Sequence, residues 1–179
     1  MKTCRNILIP RKRDYIPKDA YYTGLILRKS IVEKKEITII QDIQSGLCVK
    51  VALPALDRII SNIIDNAIKF NRPNGKIEIT LQSNNSSVIL IFRDTGYGIP
   101  PDKIQHLFIP YYQCTHKGAT QGIGAGLSLV KSILDEISGK ITVHSIFKKE
   151  TIVTITFKRE IVKKNNAKVI RDIKMTEPI

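Results

Sequence analysis

"SNIIDNAIKF", Ser61 to Phe70, places two asparagines four residues apart in the most apolar helical stretch of the chain. Leu56, Ile59, Ile60, Ile63, Ile64, Ala67 and Ile68 recur at i, i+3, i+4, i+7 spacing, which predicts an amphipathic helix with a buried isoleucine stripe. Pro54 stands where a first helical turn tolerates it, and "NRPNG" after Phe70 ends the pattern. Asparagine competes with the helix by bonding nearby backbone and prefers caps and turns. Yet Asn62, Asn66 and Lys69 share the face opposite the stripe, at i, i+4 and i+7. That face is either plain solvent side or a site. An amide oxygen is a good hard ligand for Mg²⁺, and a lysine one turn on is a phosphate partner.

Around this helix the chain reads as α+β. "EITIIQDI" (36–43) alternates and is rich in β-branched residues, and "GLCVKVAL" reads as a second strand. "KIEITLQS" and "SVILIFRDTG" form a hairpin across "NNSS". "LSLVKSILDEIS" is a second amphipathic helix closed by Gly139, and "KITVHSIF" with "TIVTITFKRE" makes a last hairpin. Helices set among hairpins predict a mixed or antiparallel sheet with helices on one face. Residues 1–35 read as a basic lead-in with a possible helix at 18–35. Residues 36–160 read as one domain, and 161–179 as a basic, poorly ordered tail.

Composition narrows the function classes. No apolar run approaches the roughly 18 residues of a membrane span. Cys4, Cys48 and Cys114 are odd in number and form no CxxC pair, which argues against a disulfide framework or zinc site and for a reducing cytoplasm. The net charge of +13 raises nucleic acid as a partner. It is concentrated at the ends, +6 over 1–50 (eleven Lys/Arg, five Asp/Glu) and +5 over 148–179 (nine and four). Residues 51–147 carry only +2 (nine and seven), and no aromatic-interleaved basic patch accompanies the charge. The reading is therefore solvated ends and no nucleic acid.

Two further stretches carry chemistry. "DTGYGI", Asp94 to Ile99, closes an apolar strand with a carboxylate and two glycines. It is a turn at least; functionally, Asp94 can accept a hydrogen bond from an exocyclic amine such as adenine's, with glycines allowing close backbone approach. "GIGAGLSLVKSI" puts Gly122, Gly124 and Gly126 before a helix whose N-terminus favours anions. It is neither the dinucleotide fingerprint, since Leu127 holds the place of its last glycine, nor a P-loop. The segment between, from Tyr97 to Gly126, is too long and too rich in glycine and proline for an ordinary connection.

In order and spacing, "LDRIISNIIDNAIKF", "RDTGYGIP", "LFIPYYQ" and "GIGAGLSLVKSI" resemble the N, G1, F and G2 boxes of sensor histidine kinases, part of an ATPase class shared with DNA gyrase, mismatch-repair ATPases and a heat-shock chaperone. The resemblance covers roughly residues 36–158. It implies a two-layer α/β sandwich, a mixed sheet of about five strands under about three helices, binding Mg-ATP beneath a lid over 100–121. It assigns Asn66 to the metal, Asn62 to the polar position beside it and Lys69 to phosphate. It assigns Asp94 to the adenine amine, Gly96, Gly98 and Ile99 to the adenine wall, and Phe108 to the F box. Gly122, Gly124, Gly126 and the amide of Leu127 are assigned to the phosphates. Thr151 survives from a Gly-x-Gly-Thr turn whose glycines are replaced by Lys148 and Glu150.

The resemblance also sorts within the class. Its hydrolytic members carry a glutamate base where this chain has Asn62, and an amide takes no proton. Transfer of the γ-phosphoryl rather than hydrolysis is implied. The phosphoacceptor histidine belongs upstream of the N box, but His106, His116 and His144 all lie downstream. The chain thus reads as the catalytic half alone, monomeric and inactive by itself. Its implied partners are a histidine-bearing dimerisation domain and a response regulator, in the cytoplasm beneath a parent kinase that can be membrane-anchored. An anti-sigma-type serine/threonine kinase and a non-catalytic ATP-binding regulatory module share the fold and stand as alternatives.

Overall fold

The structure, a computed structural model, describes residues 29–113 and 124–160. A short helix α1 (Lys29–Lys34) leads into β1 (Thr38–Ile43), followed by α2 (Leu53–Lys69). β2 (Lys76–Ser83) and β3 (Ser87–Asp94) form the first hairpin. A four-residue helix α3 (Pro101–Ile104), then α4 (Gly126–Glu136), precede the second hairpin, β4 (Lys140–Ile146) and β5 (Glu150–Lys158). The five strands make one mixed sheet in the order β1-β2-β3-β5-β4. β1 pairs parallel to β2 because the α2 crossover returns the chain to the same end of the sheet, and the other pairs are antiparallel.

The core lies between one face of the sheet and the two long helices. All seven apolar stripe residues of α2 are buried. They meet Ile77, Ile79 and Leu81 of β2, Val88, Leu90 and Phe92 of β3, and Val153, Ile155 and Phe157 of β5, with Val130 and Leu134 from α4. The alternate residues of the central strands, such as Glu78, Ile89, Ile91, Ile152 and Thr154, are only partly covered, as the period of two in a sheet with one covered face requires. No described helix is long and apolar enough to cross a membrane.

The sequence reading needs one correction here. "GLCVKVAL" is not a strand of the sheet. Leu47, Cys48, Val49 and Val51 are buried, but among the described residues Cys48 and Val49 form isolated bridges and no strand, Val49 pairing with Arg159 and Cys48 O accepting the Glu160 N–H. Its apolar side chains close the end of the core without a ladder; a short apolar run shows burial and not pairing. Of the helix read over 18–35, residues 18–28 lie outside the described residues, and Lys29–Lys34 is helical.

Two features outside the core fix α2. Lys35, just after α1, donates from Nζ to the carbonyls of Ile68 (3.0 Å), Lys69 (2.9 Å) and Asn71 (3.1 Å), placing a cation on carbonyls left open at the helix C-terminus. Asn71 is itself buried; its amide donates to Lys76 O and its oxygen accepts the Arg72 N–H, tying the helix exit to β2.

Candidate nucleotide site

The polar face of α2 changes along its length. Asp57 and Arg58 are exposed, while Asn62, Asn66 and Lys69 are half-buried, so this part of the face looks into the fold and not into open solvent. Asn62 Nδ2 donates to Arg58 O (2.7 Å), which turns its oxygen away from its own helix. That oxygen faces Gly126, the first residue of α4. The N-terminus of α4 has no side-chain cap, leaving its first amides free to meet a ligand. Leu127 packs half-buried against the core beside it, as does Phe108.

The DTGYG loop meets the other end of α2. Tyr97 N donates to Phe70 O (3.0 Å), and a Cβ on Gly96 would collide with that same carbonyl and lie 2.7 Å from Asp94 Oδ1. Gly98 has φ +61°, and a Cβ there would strike Ile146 O. These glycines therefore allow the loop to lie against the protein's own backbone, at Phe70 on one side and Ile146 on the other. Gly124 (φ +75°) likewise lies against the backbone of Tyr111 and Tyr112, so the two stems of the Tyr97–Gly126 segment touch. Gly122, and residues 114–121 of the expected lid with His116, lie outside the described residues.

Asp94 is the most perturbed group of the site. It ends β3 on the core-facing side, paired across the sheet with Ile77 and Thr151, and is only 8% exposed. Burial pushes its carboxyl up to about 7; the Gly96 N–H donated to Oδ1 (2.9 Å) works the other way, and the Glu150 charge adds to the rise. A buried carboxyl with a strongly raised pKa at the end of a central strand is a functional-site signature.

Sequence reasoning missed Ser145 on β4. Its Oγ accepts the Ile99 N–H (2.9 Å), donates to Glu150 O (2.7 Å) and lies 3.0 Å from Thr151 Oγ1. A serine in an alternating strand carries no signal of such a role. The replaced turn also has an account. Lys148 takes the left-handed backbone, φ 62°, with its carbonyl accepting Arg72 Nη2. Glu150 is buried against Arg93 at 2.7 Å, with Glu78 on the other side of that guanidinium at 3.6 Å. The Arg93 hydrogen bond holds the Glu150 carboxyl below its usual range. Of the histidines, His144 is exposed on β4, and His106 stands half-buried with Nδ1 unbonded and its ring 5.3 Å from Tyr112.

A mixed five-stranded sheet carrying an asparagine-bearing helix, a buried aspartate at a strand end and a glycine-fed helix N-terminus defines an ATPase fold. The chain belongs to the histidine kinase-, DNA gyrase B- and HSP90-like ATPase family, whose profile matches residues 51–161. It is similar to the sensor protein SrrB of Staphylococcus aureus, 38% identical over 98 residues, a stretch that is 54% of this chain and 17% of that protein. The chain thus matches less than a fifth of that curated relative's length. Among solved structures, the catalytic domain of histidine kinase ThkA superposes with a TM-score of 0.70 at 22% identity, covering 82% of this chain and 94% of that one. The mycobacterial sensor histidine kinase MprB does so with 0.69 at 21%, covering 80% and 96%. These likenesses establish the fold.

Proposed function

We propose that this chain is the ATP-binding catalytic domain of a two-component sensor histidine kinase, passing the γ-phosphoryl of Mg-ATP to a histidine on a dimerisation domain. The observation that carries it is the convergence on α2. The Asn62–Asn66–Lys69 face is half-buried, the uncapped start of α4 lies against Asn62, and the Asp94 loop is bonded to the helix end at Phe70. The resemblance of this domain to SrrB, and a solved complex of ThkA with the response regulator TrrA, support a response regulator as the downstream partner. A cytoplasmic location follows from the ATP supply.

The donor set fits Mg²⁺ and ATP. Asn66 would supply a neutral oxygen ligand to Mg²⁺, whose charge would neutralise the phosphates when bound. Lys69 and the backbone of Gly122, Gly124, Gly126 and Leu127 would hold the phosphates, with the free amides of α4 favouring the anion. Asp94 would accept from the adenine amine, with Gly96, Gly98, Ile99 and Thr151 forming the wall and Phe108 the F-box support. Asn62 is spent as a donor to Arg58 and offers no base to a water. The acceptor nitrogen attacks phosphorus, the bond to the bridging oxygen breaks, and ADP leaves with the electron pair.

The test is transfer in trans. Alone, the chain should bind ATP, turn it over slowly and take up no label from γ-labelled ATP. Given the dimerisation domain of a related kinase, it should label that domain with phosphate lost in acid and kept in alkali. Asn66→Ala should abolish both the transfer and the Mg²⁺ dependence of ATP binding. Acid-stable label on the chain itself would overturn this reading in favour of the serine/threonine kinase relative.

A further inference from the structure

The three hydrogen bonds at Ser145 can be assigned without ambiguity. A hydroxyl has one proton, and the carbonyl of Glu150, 2.7 Å away, can only accept. Ser145 therefore spends its proton on Glu150. The Ile99 N–H can only donate, so it fills one lone pair of Ser145 Oγ at 2.9 Å. The remaining contact, 3.0 Å to Thr151 Oγ1, then closes only if Thr151 is the donor. Thr151 has spent its single proton and has only lone pairs left to offer.

Those lone pairs sit beside Asp94. Ser145, Thr151 and Asp94 are successive in-register partners across β4, β5 and β3, so all three side chains stand on the core-facing side at one end of the sheet. An ionised Asp94 is an acceptor only. The row thus presents acceptors and no donor to whatever lies against it. A base with a 6-amino group brings two N–H donors to such a wall. A base with a 6-oxo group keeps one N–H, at N1, but replaces the donors at position 6 with an acceptor, which would be desolvated against other acceptors and left unpaired.

We propose that Ser145 is a positioning residue for nucleobase choice: it locks the Thr151 hydroxyl as an acceptor beside Asp94, so that the site selects a 6-amino over a 6-oxo purine. The proposal rests on the ATP-site reading and deepens it. Ser145 does this through Thr151 and through the Ile99 amide, which it holds against β4. Without the Ser145 oxygen, the Thr151 proton is free to rotate toward the base and donate to a 6-oxo group.

The experiment measures the affinities of ATP and inosine triphosphate at pH 8, for the wild type, Ser145→Ala, Ser145→Thr, Thr151→Val and Ser145→Ala/Thr151→Val. Their ratio is the readout, because general loosening of the domain lowers both affinities together. One misdirected neutral hydrogen bond changes the ratio by roughly three- to tenfold. Ser145→Ala should lose that much preference for ATP, and Ser145→Thr, which keeps the hydroxyl, should restore it. In the Thr151→Val background, Ser145→Ala should change the ratio no further. Full preference for ATP in Ser145→Ala would overturn the role of Ser145 and leave the ATP site standing. A wild type that binds both nucleotides equally would overturn the base selection and the adenine role of Asp94 with it, and a wild type that binds neither would overturn the ATP-site reading itself.

Discussion

The side-chain oxygen of Asn62 faces the Cα of Gly126 so closely that a methyl group built there would lie 2.7 Å from it. The amide cannot swing away without cost, because its nitrogen is bonded to Arg58 O at 2.7 Å. This contact joins α2, which carries Asn62, Asn66 and Lys69, to the start of the helix that follows the glycine run. Gly126→Ala should therefore lower ATP affinity by forcing the two helices apart, despite alanine's better helix propensity. In an Asn62→Ala background the same substitution has room, and its effect should largely vanish. Contacting pairs of this kind couple by about 0.5–3 kcal/mol. A double-mutant cycle on nucleotide affinity checks this; strict additivity would mean that the contact carries nothing.

Asp94 should make ATP binding depend on pH. Its carboxyl in the free protein titrates at about 7, raised chiefly by burial. If Asp94 accepts from the adenine amine as proposed, the ionised form is the stronger acceptor, so affinity should climb between pH 6 and 8 as the proton is lost. Asp94→Asn should bind more weakly and show a flatter profile across that window, which removes the titration of ATP itself from the comparison. Stability of the free protein runs the other way. A carboxyl whose folded value is raised above its unfolded one is best accommodated below the unfolded value, near 4. That contribution is lost as pH rises through about 7. At pH 8 the free Asp94→Asn protein should therefore resist urea better than the wild type, and at pH 4 the difference should shrink.

The turn before β5 holds Lys148 at φ 62°, a backbone that L side chains rarely adopt. Glycine occupies that region without steric strain but loses more freedom on folding, so the two effects partly offset. Lys148→Gly should be neutral or stabilising by up to about 1 kcal/mol. Lys148→Val, branched at Cβ, should destabilise. Urea midpoints of the two variants check the assignment, and equal midpoints would mean that the turn relaxes freely.

How much of this was legible depends on the range of the signal. The stripe from Leu56 to Ile68 is periodic in sequence, and every one of its residues is buried. The two hairpins were read from local alternation, and the ladder confirms them. "GLCVKVAL" misled because apolar residues record burial, and a segment can close a core without joining a sheet. The glycines of DTGYG were read as serving a ligand, while their nearest neighbours are Phe70 O and Ile146 O, which no local pattern reveals. Ser145 and Lys35 were missed for the same reason. Their partners are chiefly backbone groups, up to 46 residues away for Ser145 and 36 for Lys35, and backbone has no identity in a sequence.

Lys35 supports the last prediction. Its ammonium bonds three carbonyls at the exit of α2, and its own carbonyl accepts the Asn74 N–H at 2.8 Å. The residue that brings the chain into the sheet therefore also closes the helix bearing Asn62, Asn66 and Lys69. Burial lowers its pKa, a cost that the three acceptors and the negative end of the helix oppose. Lys35→Met keeps the apolar stem and removes the charge and the donors. A hydrogen bond to a charged group contributes about 1.5–3 kcal/mol, and the freed carbonyls can recover part of that from water. The expected loss is about 1–2 kcal/mol in urea unfolding, with Lys35→Arg recovering part of it. ATP affinity should fall less than stability does, since the lost bonds lie at the helix exit and the contact of Asn62 with Gly126 lies two turns upstream. An unchanged urea midpoint in Lys35→Met would show that α2 ends as well without its cation.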